Sequence, residues 1–139
     1  MYLLKRGASI HARDQQGGQP LHNAAANGHY KAIKVLLEAK AEVNAADVTG
    51  HTAMHFAAAA GSRESIELLR LYGGDVNQLT KEGKAPLLYS LKRGTPETNA
   101  QLILLGAQFS QRDRRHITPW DVKKLYGIVK PEVILDLLK

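Results

Sequence analysis

The chain repeats itself every 33 residues, and no other feature restricts so strongly what it can fold into. The stretch GGQPLHNAAANGH at 17–29 returns as GHTAMHFAAAAGS at 50–62 and as GKAPLLYSLKRGT at 83–95. A short unit repeated at fixed spacing cannot enclose a core alone. Its apolar faces are buried only against neighbouring units, so the product is a stack.

Each unit opens on Asp14, Asp47, Thr80 or Asp113, with Gly17, Gly50 and Gly83 three residues on and His116 at that place in the fourth. These are turn signals. QPLH, TAMH, APLL and TPWD follow. Proline suits a first helical turn, where its missing N–H would be unpaired anyway, and Thr52 or Thr118 stands where it can cap the helix. The short helix stops at Gly28, Gly61, Gly94 or Gly127, where glycine tolerates the left-handed closing conformation. A second, amphipathic helix is predicted over YKAIKVLLEA, RESIELLRLY and PETNAQLILL, ending at Lys40, Gly73 and Gly106, as an earlier one ends at Gly7.

Composition narrows the function classes. There is no cysteine, which excludes disulfides, thiolate metal sites and a cysteine nucleophile. No apolar run approaches the ~20 residues that span a bilayer, and MYLLKRGAS lacks the apolar core of an export signal. The net charge of +6 is uneven: residues 14–79 carry five bases against seven acids, residues 80–139 eleven against six. No nucleophile elbow, phosphate loop or distinctive carboxylate pair occurs, so neither catalysis nor a cofactor is expected. His22, His29 and His55 invite a zinc reading, but Leu88 and Asp121 interrupt the series and no set of three or four ligands emerges.

The chain resembles the ankyrin repeat in its period, its Pro-Leu-His, its alanine pair, its Gly-His and its Val-Asn, all found within Gly17 to Asn44. The resemblance implies an all-α repeat solenoid of stacked helix-turn-helix units with projecting β-turn or hairpin loops. As a single domain over 1–139, it would comprise a partial unit at 1–13, full units at 14–46, 47–79 and 80–112, and a capping unit at 113–139. It also implies that His22 and His55 bridge backbone groups of neighbouring turns, and that alanines such as Ala57 and Ala58 sit where helices of adjacent units approach.

Departures from the pattern carry expectations of their own. Lys40 replaces a helix-closing glycine, at a cost of roughly 1 kcal/mol if its backbone is left-handed. Asn99 stands where Ile33 and Ile66 stand, which predicts a less well packed outer helix. Lys123 and Lys124 replace the alanine pair and should face solvent, with Pro131 starting a final helix through Leu138. Leu3 and Leu4 fall in an outer helix without an inner partner.

Ankyrin stacks are predominantly protein-binding scaffolds, and the resemblance places their contact surface on the turn tips and the exposed face of each first helix. Carried across, that surface includes His51 and Phe56 in the second full unit and Lys81, Lys84, Tyr89, Lys92 and Arg93 in the third. Arg112, Arg114, Arg115 and Tyr126 follow. The expectation is a monomeric module, without metal or cofactor, that binds a protein bearing an acidic patch, one version being an enzyme inhibitor. The alternative is nucleic acid or anionic lipid held by the basic C-terminal units.

Overall fold

The structure is a computed structural model that describes residues 10–139. The expectations for Leu3, Leu4 and Gly7 fall outside those residues. Paired helices follow one another along the chain: α1 (Pro20–Ala26) with α2 (Tyr30–Glu38), α3 (Ala53–Ala60) with α4 (Arg63–Leu71), and α5 (Pro86–Arg93) with α6 (Pro96–Leu104). A single turn α7 (Gln111–Arg114), then α8 (Pro119–Leu125) and α9 (Pro131–Leu138), complete an all-α repeat solenoid. Among the described residues the only β pairing is an isolated bridge between Tyr126 and Val129.

The first helices stack directly on one another, α3 between α1 and α5. Small residues permit this: Ala25, Ala57 and Ala58 are fully buried. The second helices add Ile33, Leu36, Ile66, Leu69 and Leu102 to the same core, each 0 or 1% exposed. Burial of this continuous seam is the main source of stability in a solenoid.

The tips are built from the repeated aspartate and glycine. Asp14 Oδ1 accepts the N–H groups of Gln16 (2.9 Å) and Gly18 (2.8 Å), and Asp47 Oδ1 accepts those of Thr49 (3.0 Å) and His51 (2.9 Å). Gly50 has φ +86°, and a Cβ there would lie 2.6 Å from the amide nitrogen of Lys81, so backbone conformation and neighbour both demand glycine. Successive tips are tied together, Val48 N–H donating to Gln16 O (2.9 Å) and Lys81 N–H to Thr49 O (3.0 Å). At the other end of the units, Asn44 and Asn77 each bridge to the next loop. Their amides donate to Gly73 O and Gly106 O, and their carbonyls accept from Asp75 N and Gln108 N.

Four features depart from the repeat logic or refine it. Lys40 does adopt the left-handed conformation of the glycines around it, with φ 75°. Gly94 does not: its φ is −83°, and glycine is needed there because a Cβ would lie 2.6 Å from Ala58 O and 2.8 Å from Ser90 O. Asn99 does not loosen α6. It is 3% exposed, and its Oδ1 accepts the hydroxyl of Ser90 at 2.7 Å, while Ser90 also meets Thr98 at 2.8 Å. Ser90 occupies the place of Ala57, so the polar pair Ser90 and Asn99 replaces the apolar pair Ala57 and Ile66 as a unit. Finally, the turn expected at Asp113 is a helical turn, α7, in which Asp113 is fully buried.

Candidate protein-interaction surface

The two histidines of the repeat are structural. His22 accepts the N–H of Gln19 on Nδ1 (2.8 Å) and reaches Ala45 O through Nε2 (2.8 Å). His55 accepts Thr52 N–H (3.0 Å) and reaches Lys84 O (3.1 Å). An amide donor on one side and a carbonyl on the other require the neutral ring with its proton on Nε2. Burial pushes the pKa of His55 down to about 4. Among the described residues no group of three or more potential ligands is placed to hold a metal ion.

His51 has a different role. Thr49 Oγ1 donates to Asp47 Oδ1 at 2.8 Å, which commits its only proton, so the contact between Thr49 Oγ1 and His51 Nδ1 (2.6 Å) has the ring donating. Nε2 of the neutral ring is then an acceptor, and it takes the hydroxyl proton of Tyr89 at 2.8 Å. Asp47 itself is held below the usual carboxylate range: burial would raise it, but the Thr49 hydroxyl and the Thr49 and His51 amides outweigh that. Burial, with Glu82 and Asp113 nearby, raises Tyr89.

The rings form one continuous shelf. Phe56 meets His22 edge-on at 5.8 Å and lies tilted against His51 at 5.6 Å, while Tyr89 stands edge-on to His51 (5.3 Å) and to His55 (5.4 Å). Phe56 and Tyr89 are each half-buried on the exposed side of α3 and α5. Phe56 therefore packs sideways against its neighbours and still presents part of its ring. Offset and edge-on contacts of this kind fix ring orientation before any partner arrives.

The basic residues separate into those that are free and those that are engaged. Lys81 and Arg93 are exposed, and Lys84 is half-buried with its ammonium 4.0 Å from Glu82. Lys92 pairs with Asp121 at 2.5 Å, and Lys124 pairs with the same carboxylate at 3.5 Å while donating to Leu91 O at 2.9 Å. Lys124 is exposed, as expected, and its ammonium also binds back onto the stack. Burial alone would raise Asp121, but hydrogen bonds from Lys92 and Thr118 bring it down to about 2. Arg112 lies over Gly83 and reaches Glu82 O at 3.4 Å. Arg115 is exposed. Arg114 is half-buried and lines, with Tyr126, a hollow beside α8 and α9.

Trp120 is an exposed aromatic that sequence reasoning did not single out. It stands in register with Leu21, Met54 and Leu87, which are at most 2% exposed, yet it is 74% exposed with the ammonium of Lys123 5.4 Å from its ring centroid. The legible signal was tryptophan at a core position of the one unit whose alanine pair is replaced by lysines.

The family model for ankyrin repeats (3 copies) matches residues 1–80. The chain belongs to the ankyrin-repeat family, whose members are typically non-catalytic and generally mediate protein–protein interaction. None of the curated proteins matches it. Among the described residues no helix is long and apolar enough to cross a membrane.

Proposed function

We propose that the chain is a monomeric, non-catalytic binding module that grips a protein partner on the shelf formed by His51, Phe56 and Tyr89. The exposed cations Lys81, Arg93 and Arg115, with the half-buried Lys84 beside them, favour a partner with an acidic patch. The observation that carries this reading is the bond from the Tyr89 hydroxyl to His51 Nε2, backed by Thr49 and Asp47. It holds a large amphipathic ring at the surface with its hydroxyl proton directed inward. Ordering such a ring in advance lowers the entropic cost of association, and tyrosine and arginine are enriched among energetic hot spots.

Blocking an enzyme's cleft with the projecting tips is the version of this activity that we favour, since the tips are tied into one edge by the Val48 and Lys81 amide bonds. Recognition of phosphate polymers fits less well. Lys92 and Lys124 share the single carboxylate of Asp121, which offsets one of their two charges, and Arg112 is laid against Gly83. The test is affinity capture with the wild type and with Phe56→Ala/Tyr89→Ala as parallel baits, with and without nuclease. A protein retained by the wild type, lost by the double variant and indifferent to nuclease supports the reading. Nuclease-sensitive capture that both baits share would refute it.

A further inference from the structure

We infer that the hollow beside α7, α8 and α9 is a second binding site, one that takes a carboxylate side chain flanked by an apolar residue in a protein segment. The hollow measures about 400 Å³ and is walled by Ile117, Pro119, Val122, Tyr126 and Leu138, with Arg114 as its charged member. Among the described residues the Arg114 guanidinium makes no ion pair and no hydrogen bond, and its Nε is buried without an acceptor. A buried N–H with nothing to receive it forfeits its hydration with no return, and a guanidinium fork is the group best matched to a carboxylate.

The surrounding acids are committed elsewhere. Asp113, in the same helical turn, accepts the amides of Ser110 and Ala85. Asp136, which lines the adjoining hollow with Arg114, pairs instead with Lys139 at 3.5 Å. The backbone of Arg114 is held through Ser110, whose carbonyl accepts its N–H at 3.3 Å and whose hydroxyl caps the turn at Asp113 N (3.0 Å). A positioned, unpaired guanidinium against an aliphatic wall complements a ligand that joins negative charge to apolar bulk. A bare phosphate would match the arginine and leave the wall unused. The site shares no residue with the His51, Phe56 and Tyr89 shelf, so either can fail without the other.

The test uses the full chain and two end-capped probes, acetyl-Gly-Leu-Glu-Leu-Gly-amide and its glutamine analogue, followed by heteronuclear NMR including the arginine Nε–Hε signals. The glutamate peptide should shift Arg114 Nε–Hε and the methyls of Ile117, Val122 and Leu138 in a saturable way. The glutamine analogue should bind about tenfold more weakly, and Arg114→Gln should cost the glutamate peptide a similar factor. Arg114→Lys should recover only part of that loss, because an ammonium cannot reproduce the fork. Leu138→Ala should weaken both peptides alike. Equal binding of the two peptides to the wild type would overturn the proposal, as would shifts confined to His51, Phe56 and Tyr89. So would an Arg114 signal that moves on Asp136→Asn and ignores the peptide, since the guanidinium would then spend its charge inside the protein.

Discussion

The carboxylate of Asp113 accepts the backbone N–H of Ala85, 3.2 Å from each oxygen, and so does for the third unit what His22 and His55 do for the first two. Leu88 stands where those histidines stand and has nothing to offer the amide ahead of α5. The missing acceptor arrives from the following unit instead, and the turn expected at Asp113 gives way to the helical turn α7. Burial raises the pKa of Asp113 even against the hydrogen bonds from Ser110 and Ala85 that favour its charge.

Removing that acceptor should expose the substitution. Asp113→Ala leaves the Ala85 and Ser110 amides unpaired and should cost about 1–3 kcal/mol in urea unfolding. Leu88→His, introduced into the same background, should restore part of the loss by supplying Nδ1 to Ala85. A double-mutant cycle with no coupling between positions 88 and 113 would refute the equivalence.

At Lys40 a lysine holds a left-handed backbone that the next two units give to Gly73 and Gly106. Lys40→Gly should therefore stabilise the fold by roughly 1 kcal/mol, read as a higher denaturation midpoint at unchanged slope. A neutral or destabilising result would show that the lysine side chain offsets the strain.

The Ser90 and Asn99 pair predicts a compensated double change. Asn99→Ile alone takes one partner from the buried Ser90 hydroxyl, leaving it only Thr98, and should destabilise by about 1 kcal/mol. Adding Ser90→Ala recreates the Ala57 and Ile66 arrangement and should bring stability back to the wild-type level or above. If the double variant unfolds as easily as the single one, the two residues are not exchanging as a unit.

These cases mark the boundary of what the sequence carries. Period, helix limits, tip turns and the left-handed glycines are local properties, and the helix over Pro131–Leu138 and the φ of Lys40 were legible for that reason. The Ala85 to Asp113, Ser90 to Asn99 and His51 to Tyr89 contacts join different helices or units, and register alone does not announce them. Gly94 shows the same limit: glycine was legible, but its reason is the approach of Ala58 O rather than a left-handed turn. Of the candidate contact residues, the structure joins His51, Phe56 and Tyr89 and separates Lys92, Arg112 and Arg114 into engaged or half-buried roles.

Acid should weaken the fold in two separable steps. The His55 pKa falls from 6.5 unfolded to about 4 folded, so between those values the unfolded chain binds more protons and stability drops as pH falls, by on the order of 3 kcal/mol across the window. Asp121, at about 2 against 3.8 unfolded, contributes stability that is present above 3.8 and is lost as pH falls toward 2. His55→Leu, though less stable at neutral pH, should show a flatter stability profile between pH 6.5 and 4 than the wild type. Parallel profiles for the two proteins would contradict the assignment.

The most direct test of the binding account is a calorimetric titration of the captured partner against four proteins at low and high salt: the wild type, Tyr89→Ala, Lys81→Glu/Lys84→Glu, and Lys34→Glu on the outer helix α2. Tyr89→Ala should lose about tenfold or more in affinity at both salt concentrations, because it removes desolvated contact. The Lys81 and Lys84 pair should lose affinity chiefly at low salt, and Lys34→Glu should bind as the wild type does. Loss from Lys34→Glu equal to that from the Lys81 and Lys84 pair, with Tyr89→Ala unaffected, would mean that net positive charge and not the shelf attracts the ligand, and would contradict the account.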